Sequence, residues 1–422
     1  MVTELRLPLF PEVQTDSEQV GRKEHLTFKA NRGSSRHGWL RLTPAYSLRL
    51  VEDLVSVHSV KDIVLDPFCG TGTTALVCAQ AGIHCDTVDI NPFLVWLTNA
   101  KCAGYGEADV HQAEETLLFA LSQPVKSAWI PGIRDIEKWW DAETLGVLSS
   151  MFAVINGASI SDSSRNLLYV TFCKVLIRVA AVSFGHQSMS FRKEEKPKGL
   201  FHTTKCDELS SLFRKAFAEV AISARELVPD GLGRAFQGDS RDFCSVPGLG
   251  KYTVVITSPP YPNRISYIRE LRPYMYWLGH LSSGRQAGEL DWEAIGGTWG
   301  CATSNLTHWT PDPNIQVPFE GFLEVVNSIS AHSDVLGKYV HKYFQDMVLH
   351  VQSLRSVLVD GAYIYYVVGN SKFYDVVLEV EEIYAAIFRH NGFGQVEVER
   401  LRKRSSKKEL YEFLVKARAQ RE

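Results

Sequence analysis

Three short stretches carry residue types and spacings that could do chemistry. The first, Val64 to Pro92, reads V-L-D-P-F-C-G-T-G-T-T-A-L-V-C-A-Q-A-G-I-H-C-D-T-V-D-I-N-P. A tight glycine turn, Gly70-Thr71-Gly72, follows a short apolar run and precedes a helical stretch. Glycine there lets backbone come close to a ligand, and an acid about 20 residues on, Asp89, is placed to accept bonds from ribose hydroxyls. The second stretch is Gly238-Asp239-Ser240. The third, Val254 to Arg264, is an apolar run that ends in Thr257-Ser258-Pro259-Pro260-Tyr261. Ligands in open α/β sheets bind beyond the carboxyl ends of strands, so that position marks a site. Two consecutive prolines remove two backbone donors and fix φ, which leaves a stiff loop whose carbonyls are free to accept.

Other chemistries fit less well. No Gly-Lys-Ser/Thr follows the first glycine turn, so it is not a phosphate-binding loop. The D-P-F-C-G-T-G spacing is not the dinucleotide pattern, and nothing downstream points to hydride transfer. The eight cysteines are scattered, with no C-x-x-C pair, which reads as free thiols in a reducing cytoplasm and as no structural zinc site. Cys69 reads as packing, because nothing near it in sequence would activate a thiol. His186 has no partner at metal-ligand spacing. The N-terminus has no basic-then-apolar signal pattern, and no apolar run approaches the ~20 residues that span a bilayer. Net charge is −3, so any nucleic-acid contact must come from a local basic face.

The elements that must position these stretches follow from pattern. Thr43 is placed to cap a helix with Pro44 at its first position, and Leu48, Val51, Leu54 and Val55 give that helix an apolar face. Ile63 to Leu65 is a buried strand, Thr73 to Ala81 a helix, and His84 to Val88 a second strand ending at Asp89. Residues 106–230 read as a mostly helical insertion with helices in Ile136–Ile155 and Asn166–Val182. It serves as a lid or contacts DNA through the polar, aromatic stretch Ser183 to Arg192 and the cations Arg178, Arg192, Lys193, Lys196 and Lys198. Residues 231–280 hold the second and third stretches. Residues 281–335, rich in Gly, Ser, Thr and Trp, read as a long loop and a second candidate for target recognition. A helix from Leu336 is stopped at Gly361, Tyr363 to Val368 is a strand, and Val376 to Arg389 a helix. Gln395–Leu401 and Leu410–Lys416 form a closing hairpin, whose basic tip, Arg402 to Lys408, is solvated or touches phosphate.

The D-P-F-C-G-T-G and T-S-P-P-Y stretches together resemble motifs I and IV of the S-adenosylmethionine (AdoMet)-dependent methyltransferases that modify exocyclic amines of DNA bases, and the resemblance extends over most of the chain. It implies a Rossmann-like class I α/β fold with a seven-stranded mixed sheet, an AdoMet-binding part in residues 1–105, and the end of the sheet in 336–422. Leu42-Thr43-Pro44 resembles motif X, which lines the methionine end of the AdoMet site. By resemblance Asp66, Phe68, Gly70 and Gly72 wrap the methionine part, Asp89 binds the ribose diol, Ile90 packs on the adenine face and Asp239 reaches the adenine amino group. For Asp89 and Asp239 the plain alternative is a turn or capping acid.

The same resemblance makes Ser258 and the Pro259 carbonyl acceptors for the amine hydrogens, with Pro260 completing the loop and Tyr261 stacking on a flipped-out base. A conjugated amine is a poor nucleophile, and two acceptors would favour a pyramidal nitrogen with a free lone pair. No covalent intermediate and no metal are then needed. Arg264, Arg269 and Arg272 are placed to contact phosphates of double-stranded DNA. Serine at position 258 is typical of N4-cytosine enzymes, whereas N6-adenine enzymes usually carry Asp or Asn there. No Pro-Cys pair of the C5-cytosine kind occurs. The expected protein is a cytoplasmic monomer or homodimer acting on nucleoid DNA, partnered by a cognate restriction endonuclease or defence proteins. The rivals are an N6-adenine enzyme, an RNA base amino-methyltransferase and a catalytically silent AdoMet-binding recognition subunit.

Overall fold

The structure, a computed structural model, describes residues 35–40, 42, 46–126, 129–183, 190–191, 204–298, 300–404 and 409–420. Its main sheet has strands β1 (Ile63–Asp66), β2 (His84–Asp89), β3 (Gly233–Gln237), β4 (Tyr252–Thr257), β5 (Leu358–Gly369), β6 (Phe393–Lys403) and β7 (Tyr411–Ala419). They lie in the order β3-β2-β1-β4-β5-β7-β6. Neighbours from β3 through β5 pair in parallel, and β7 runs antiparallel to both β5 and β6. The chain moves outward from β1 through β2 to β3, then returns to the other side of β1 with β4. That switch opens a crevice above the carboxyl ends of β1 and β4.

Parallel pairs need long crossovers, and helices supply them. These are α1 (Leu48–Ser56), α2 (Thr73–Gln80), α3 (Pro92–Cys102), α4 (Glu107–Ser122), α5 (Ala142–Gly157), α6 (Asp162–Arg178), α7 (Lys205–Ala224), α8 (Tyr267–Trp277), α9 (Gly284–Glu293), α10 (Cys301–His308), α11 (Phe322–Ser330), α12 (Asp334–Arg355) and α13 (Val380–His390). Alternation along the strands sends side chains to opposite faces. Val64, Val254 and Ile256 pack with α1 and α2, whereas Leu65 and Val255 pack with α12 and α13. Each fully buried aliphatic side chain of this kind contributes roughly 1.5–3 kcal/mol.

Helices α4 to α7 form the insertion between α3 and β3. Their core also receives one face of α3 and of α8. Trp277 of α8 is buried at its centre, edge-on to Trp140, Phe152 and Phe172 with centroids 6.1, 5.6 and 5.3 Å away. Arg36 joins this body to the sheet. It is fully buried, and its guanidinium donates to the carbonyls of Lys101, Ala103, Ser223, Ala224 and Glu226 at 2.6–3.1 Å. These carbonyls end α3 and α7, where a cation offsets the helix dipole.

Several expectations need correction. The first helix starts at Leu48 and is capped by Ser47, not at Thr43-Pro44, which lie outside the described residues along with residues 1–34. Helix α6 starts four residues before Asn166, because Ser161 caps a polar first turn with its Oγ on the Ser164 amide at 3.0 Å. Residues 281–335 hold three helices rather than one loop. Ser283 caps α9, and Gly300 and Gly321, both at positive φ, start α10 and α11, so the residues that suggested a loop serve as helix starts. Helix α12 ends at Arg355, and Gly361, at φ +78°, lies within β5 instead of stopping a helix. Val376–Leu378 pairs with Ser371–Phe373 in a small hairpin, so α13 starts only at Val380. His186, Arg192, Lys193, Lys196, Lys198 and the tip residues 405–408 lie outside the described residues.

Candidate active site

A cavity of about 310 Å³ lies above the carboxyl ends of β1 to β4, and the strand order sorts its walls. On the β1 to β3 side stand Phe68, Gly70, Asp89, Ile90 and Gly238 to Ser240; at its centre stand Ser258 to Tyr261 after β4. Val367 of β5, Arg402 and Arg404 at the end of β6, and Glu412 of β7 close the far side. Tyr46, Ser47 and Leu50 enter from the start of α1, and the turn after α9 supplies Glu293 to Gly297.

The glycine turn is held from three directions. The Gly70 amide, at φ +53°, donates to Asp89 Oδ2 at 3.1 Å. Gly72 does not line the cavity; a Cβ there would lie 2.4 Å from Thr98 Oγ1, so glycine lets α3 close against the turn. Lys101 is fully buried and donates Nζ to the Thr71 carbonyl at 2.8 Å, and burial lowers its pKa to about 8. Asp66 sits below the cavity rather than in it. Its Oδ1 accepts from Thr257 Oγ1 at 2.6 Å and from the Phe68 amide at 3.1 Å, and its Oδ2 from Thr74 Oγ1 at 2.6 Å. One carboxyl thus ties the glycine turn to the residue before Ser258. Burial pushes its pKa up to about 7, against the pull of those bonds. Cys69 is buried and its thiol pKa is raised by burial, as a packing residue requires.

The acids beside it differ in state. Asp89 accepts from the Gly70 amide and, at 2.9 Å, from the Asn91 amide; burial raises its pKa to about 6. Burial also acts on Asp239, but its bonds to Arg241, the shortest 2.7 Å, outweigh it and hold the carboxyl below the usual range. Arg241 is itself fixed by Asp346 at 2.8 Å. His350 links this loop to the glycine turn: Nδ1 donates to the Ser240 carbonyl at 3.0 Å, Nε2 accepts from Tyr366 Oη at 2.6 Å, and its ring lies 4.8 Å from that of Phe68. Burial lowers its pKa to about 4, so it is neutral and its tautomer is set by those two bonds.

The Ser258–Tyr261 loop leaves β4 directly. Ser258 Oγ lies 3.5 Å from Tyr261 Oη. Tyr343 Oη donates to the Pro260 carbonyl at 2.7 Å and pairs with Tyr384 Oη at 2.8 Å, so α12 and α13 pin the loop from beneath. Among the described residues the Pro259 carbonyl has no protein donor. Of the three predicted phosphate contacts, none lines the cavity. Arg264 is exposed at its rim, at φ +64°, while the Arg272 guanidinium lies 5.1 Å from the ring of Trp139 in the insertion, and Arg269 is half-buried on the same helix.

Sequence reasoning missed Lys101, Tyr343 and His350, and it named Arg404 only within the basic hairpin tip. Tyr343 and His350 sit on the buried stripe of α12 and carry no local signal of a polar duty. Replacing Tyr343 by Phe leaves the Pro260 carbonyl and the Tyr384 hydroxyl without a partner. We expect Tyr343→Phe to lose about 1–2 kcal/mol of stability in urea titration, with a fall in turnover and little change in cofactor affinity.

A glycine turn feeding a helix, a strand-end acid after β2 and a polar loop after β4, on a seven-stranded sheet with one reversed strand, are the arrangement of a Rossmann-like class I methyltransferase fold. Residues 26–99 match the N6_N4_Mtase family model, described as DNA methylase. The chain is 35% identical over 289 residues to the Type II methyltransferase M.BsoBI of Geobacillus stearothermophilus, covering 63% of this chain and 56% of that one. It is 34% identical over 77 residues to the Type II methyltransferase M.AvaI of Nostoc sp., covering 18% and 16%. Over these stretches the chain is similar to N6/N4 amino-methyltransferases. The chain spans about half the length of the first of these relatives. A solved rRNA methyltransferase, aviRa from Streptomyces viridochromogenes, aligns over 92% of each chain at 12% identity with a TM-score of 0.30, too loosely to add to the argument. The family match ends at residue 99, so it covers the glycine turn and Asp89 and is independent of Ser258–Tyr261. Among the described residues no group of three or more His, Cys, Asp or Glu could hold a metal ion, and no helix is long and apolar enough to cross a membrane.

Proposed function

We propose that the protein methylates an exocyclic amine of a base in double-stranded DNA, and that the amine is N4 of cytosine. The observation that carries this reading is the shared cavity. Ser258 to Tyr261, on a loop pinned by Tyr343, open into the same space as Gly70, Asp89 and Asp239. The cavity's donor set fits AdoMet. Two carboxylates suit its hydroxyls and amines, Ile90 and Phe68 offer apolar faces, and Gly70 lets backbone approach. When bound, AdoMet supplies an electrophilic methyl on a positively charged sulfur. Residues of the chain do the rest. Asp89 and Asp239 hold the nucleoside end, and Tyr46 to Leu50 close the other end.

Ser258 Oγ and the Pro259 carbonyl accept the two amine hydrogens and free the nitrogen lone pair, and Tyr261 stacks on the base. The proton lost from the methylated nitrogen passes to solvent, since neither acceptor is a base at neutral pH. Positioning of this kind supplies much of the rate. Relatives named Type II methyltransferases support a role in protecting DNA sites from a cognate nuclease in the cytoplasm. The Ser258 side chain favours cytosine N4 over adenine N6.

The test is transfer of labelled methyl from AdoMet to unmodified DNA and to RNA, followed by nucleoside mass spectrometry. N4-methylcytosine in DNA is the expected product. N6-methyladenine would overturn the choice of base, and label only in RNA, or none despite AdoMet binding, would overturn the reading. The Asp89 carboxyl adds a pH prediction. Its ionised form accepts ribose hydroxyls, and its pKa is raised to about 6. Protonation below that value removes an acceptor, so the AdoMet Kd should rise as pH falls through 6, by up to about tenfold per unit, and stay flat above 7. Calorimetric titration of Asp89→Asn should show weaker binding without this dependence.

A further inference from the structure

The basic tip of the β6–β7 hairpin has no place in the reaction described so far, yet its base forms one wall of the cavity. Two arginines stand there, in different states. Arg402 pairs with Glu412, Nη2 to Oε1 at 2.8 Å, and both side chains are 13% exposed, so this pair adds no net charge. Arg404, two residues on, has no ion-pair partner among the described residues. Its guanidinium lies 4.9 Å from the centroid of the Tyr261 ring and donates Nη1 to the Asn370 carbonyl at 2.9 Å.

The surroundings hold Arg404 in this position. Its backbone amide donates to the Leu410 carbonyl at 2.7 Å across the hairpin. Asn370 receives the Tyr411 amide on Oδ1 at 2.8 Å and donates Nδ2 to the Glu409 carbonyl at 3.2 Å, so one residue after β5 anchors the hairpin base. Beneath both side chains is Gly369. A Cβ there would lie 2.4 Å from Arg404 Nη1 and 2.9 Å from Tyr261 Cε2. The chain thus gives up a side chain at the end of β5 so that a cation can rest on the aromatic ring.

An uncompensated guanidinium at a cavity wall is a site for an anion. The strand order says which side of the cavity the anion occupies. Asp89 and Asp239, after β2 and β3, mark the nucleoside end of the cofactor. Arg404, beyond β4 and β5, stands at the opposite end, past Ser258 and Tyr261.

We propose that Arg404 is a substrate-positioning residue that bridges the Tyr261 ring and a backbone phosphate of the nucleotide turned into the cavity. One side chain would then hold both the base-stacking ring and the strand that delivers the base. Arg402, neutralised by Glu412, lacks this capacity, which makes Arg404 the phosphate contact of the described hairpin. The inference rests on the DNA reading of the same site.

The experiment compares the full chain with Arg404→Gln, which removes the charge and leaves a shorter side chain with one amide donor group, and with Arg404→Lys, which keeps the charge. The probe is duplex DNA that the wild-type protein methylates, assayed over a range of salt concentrations, with AdoMet affinity measured in parallel. Arg404→Gln should raise the KM for DNA about tenfold or more and lower the slope of log KM against log salt by about one, with AdoMet affinity unchanged. Arg404→Lys should restore the slope and part of the KM. An unchanged KM and slope in Arg404→Gln overturns the proposal, as does a loss of AdoMet affinity as large as the loss for DNA, which would put the anion on the cofactor. A wild-type protein that methylates no DNA overturns the DNA reading itself, and this proposal with it, and that result is distinct from a selective failure of the Arg404 variants.

Discussion

Ser258→Ala should lower the turnover number for methyl transfer by about 10²–10³-fold while AdoMet affinity stays within twofold of wild type. The hydroxyl removed is one of two acceptors for the amine hydrogens, and losing one preorganised polar group at a reacting centre typically costs that much. The cofactor side of the cavity should be untouched. Asp89, Asp239 and Gly70 are held by the Asn91 amide, Arg241 and each other, none of which contacts Ser258. Tyr261→Ala tests the other half. Loss of base stacking, worth about 1–3 kcal/mol, should fall mainly on the KM for DNA. Single-turnover kinetics with saturating AdoMet separate the two, and activity surviving both substitutions would show that the reaction takes place elsewhere.

The largest stability effect is expected at Arg36. Arg36→Ala removes five donors at once and leaves the final carbonyls of α3 and α7 buried beside each other. We expect a loss of about 3–5 kcal/mol in chemical denaturation, because uncompensated buried polar groups carry their full desolvation cost. The effect should reach the active site indirectly. Helix α3 carries Lys101, which holds the Thr71 carbonyl of the glycine turn, so loosening its end should weaken AdoMet binding as well. Arg36→Lys should recover little, since one ammonium cannot reach five carbonyls.

What the sequence made legible was local. The glycine turn, the acid at Asp89 and the loop at Ser258 are read from neighbours a few residues apart, and the structure brings all three to one cavity. Strand and helix identities around them followed from short apolar runs and 3.6-residue rhythm. What stayed hidden is long-range or compositional. The bond from Tyr343 to the Pro260 carbonyl spans 83 residues, and that from His350 to the Ser240 carbonyl spans 110. Nothing in the α12 sequence separates these side chains from ordinary core members. The α9–α11 segment was misread because short helices that start at serine and glycine have the composition of a loop. Arg272 illustrates the reverse error of placement. Its sequence position invited a phosphate role, but the helix it sits on turns it toward Trp139.

The reversed strand β7 also bears on how the molecule is made. Strand β6 leaves the ribosome before β7, yet in the sheet its partner is β7, and β7 is what separates it from β5. Without Tyr411–Ala419 in place, β5 is an open edge and β6 has no strand partner in the sheet. The wall that carries Arg404 is held to the sheet through β7. Loss of the β7 pairing in the full chain should therefore expose the β5 and β6 edges together, a state prone to association with other chains.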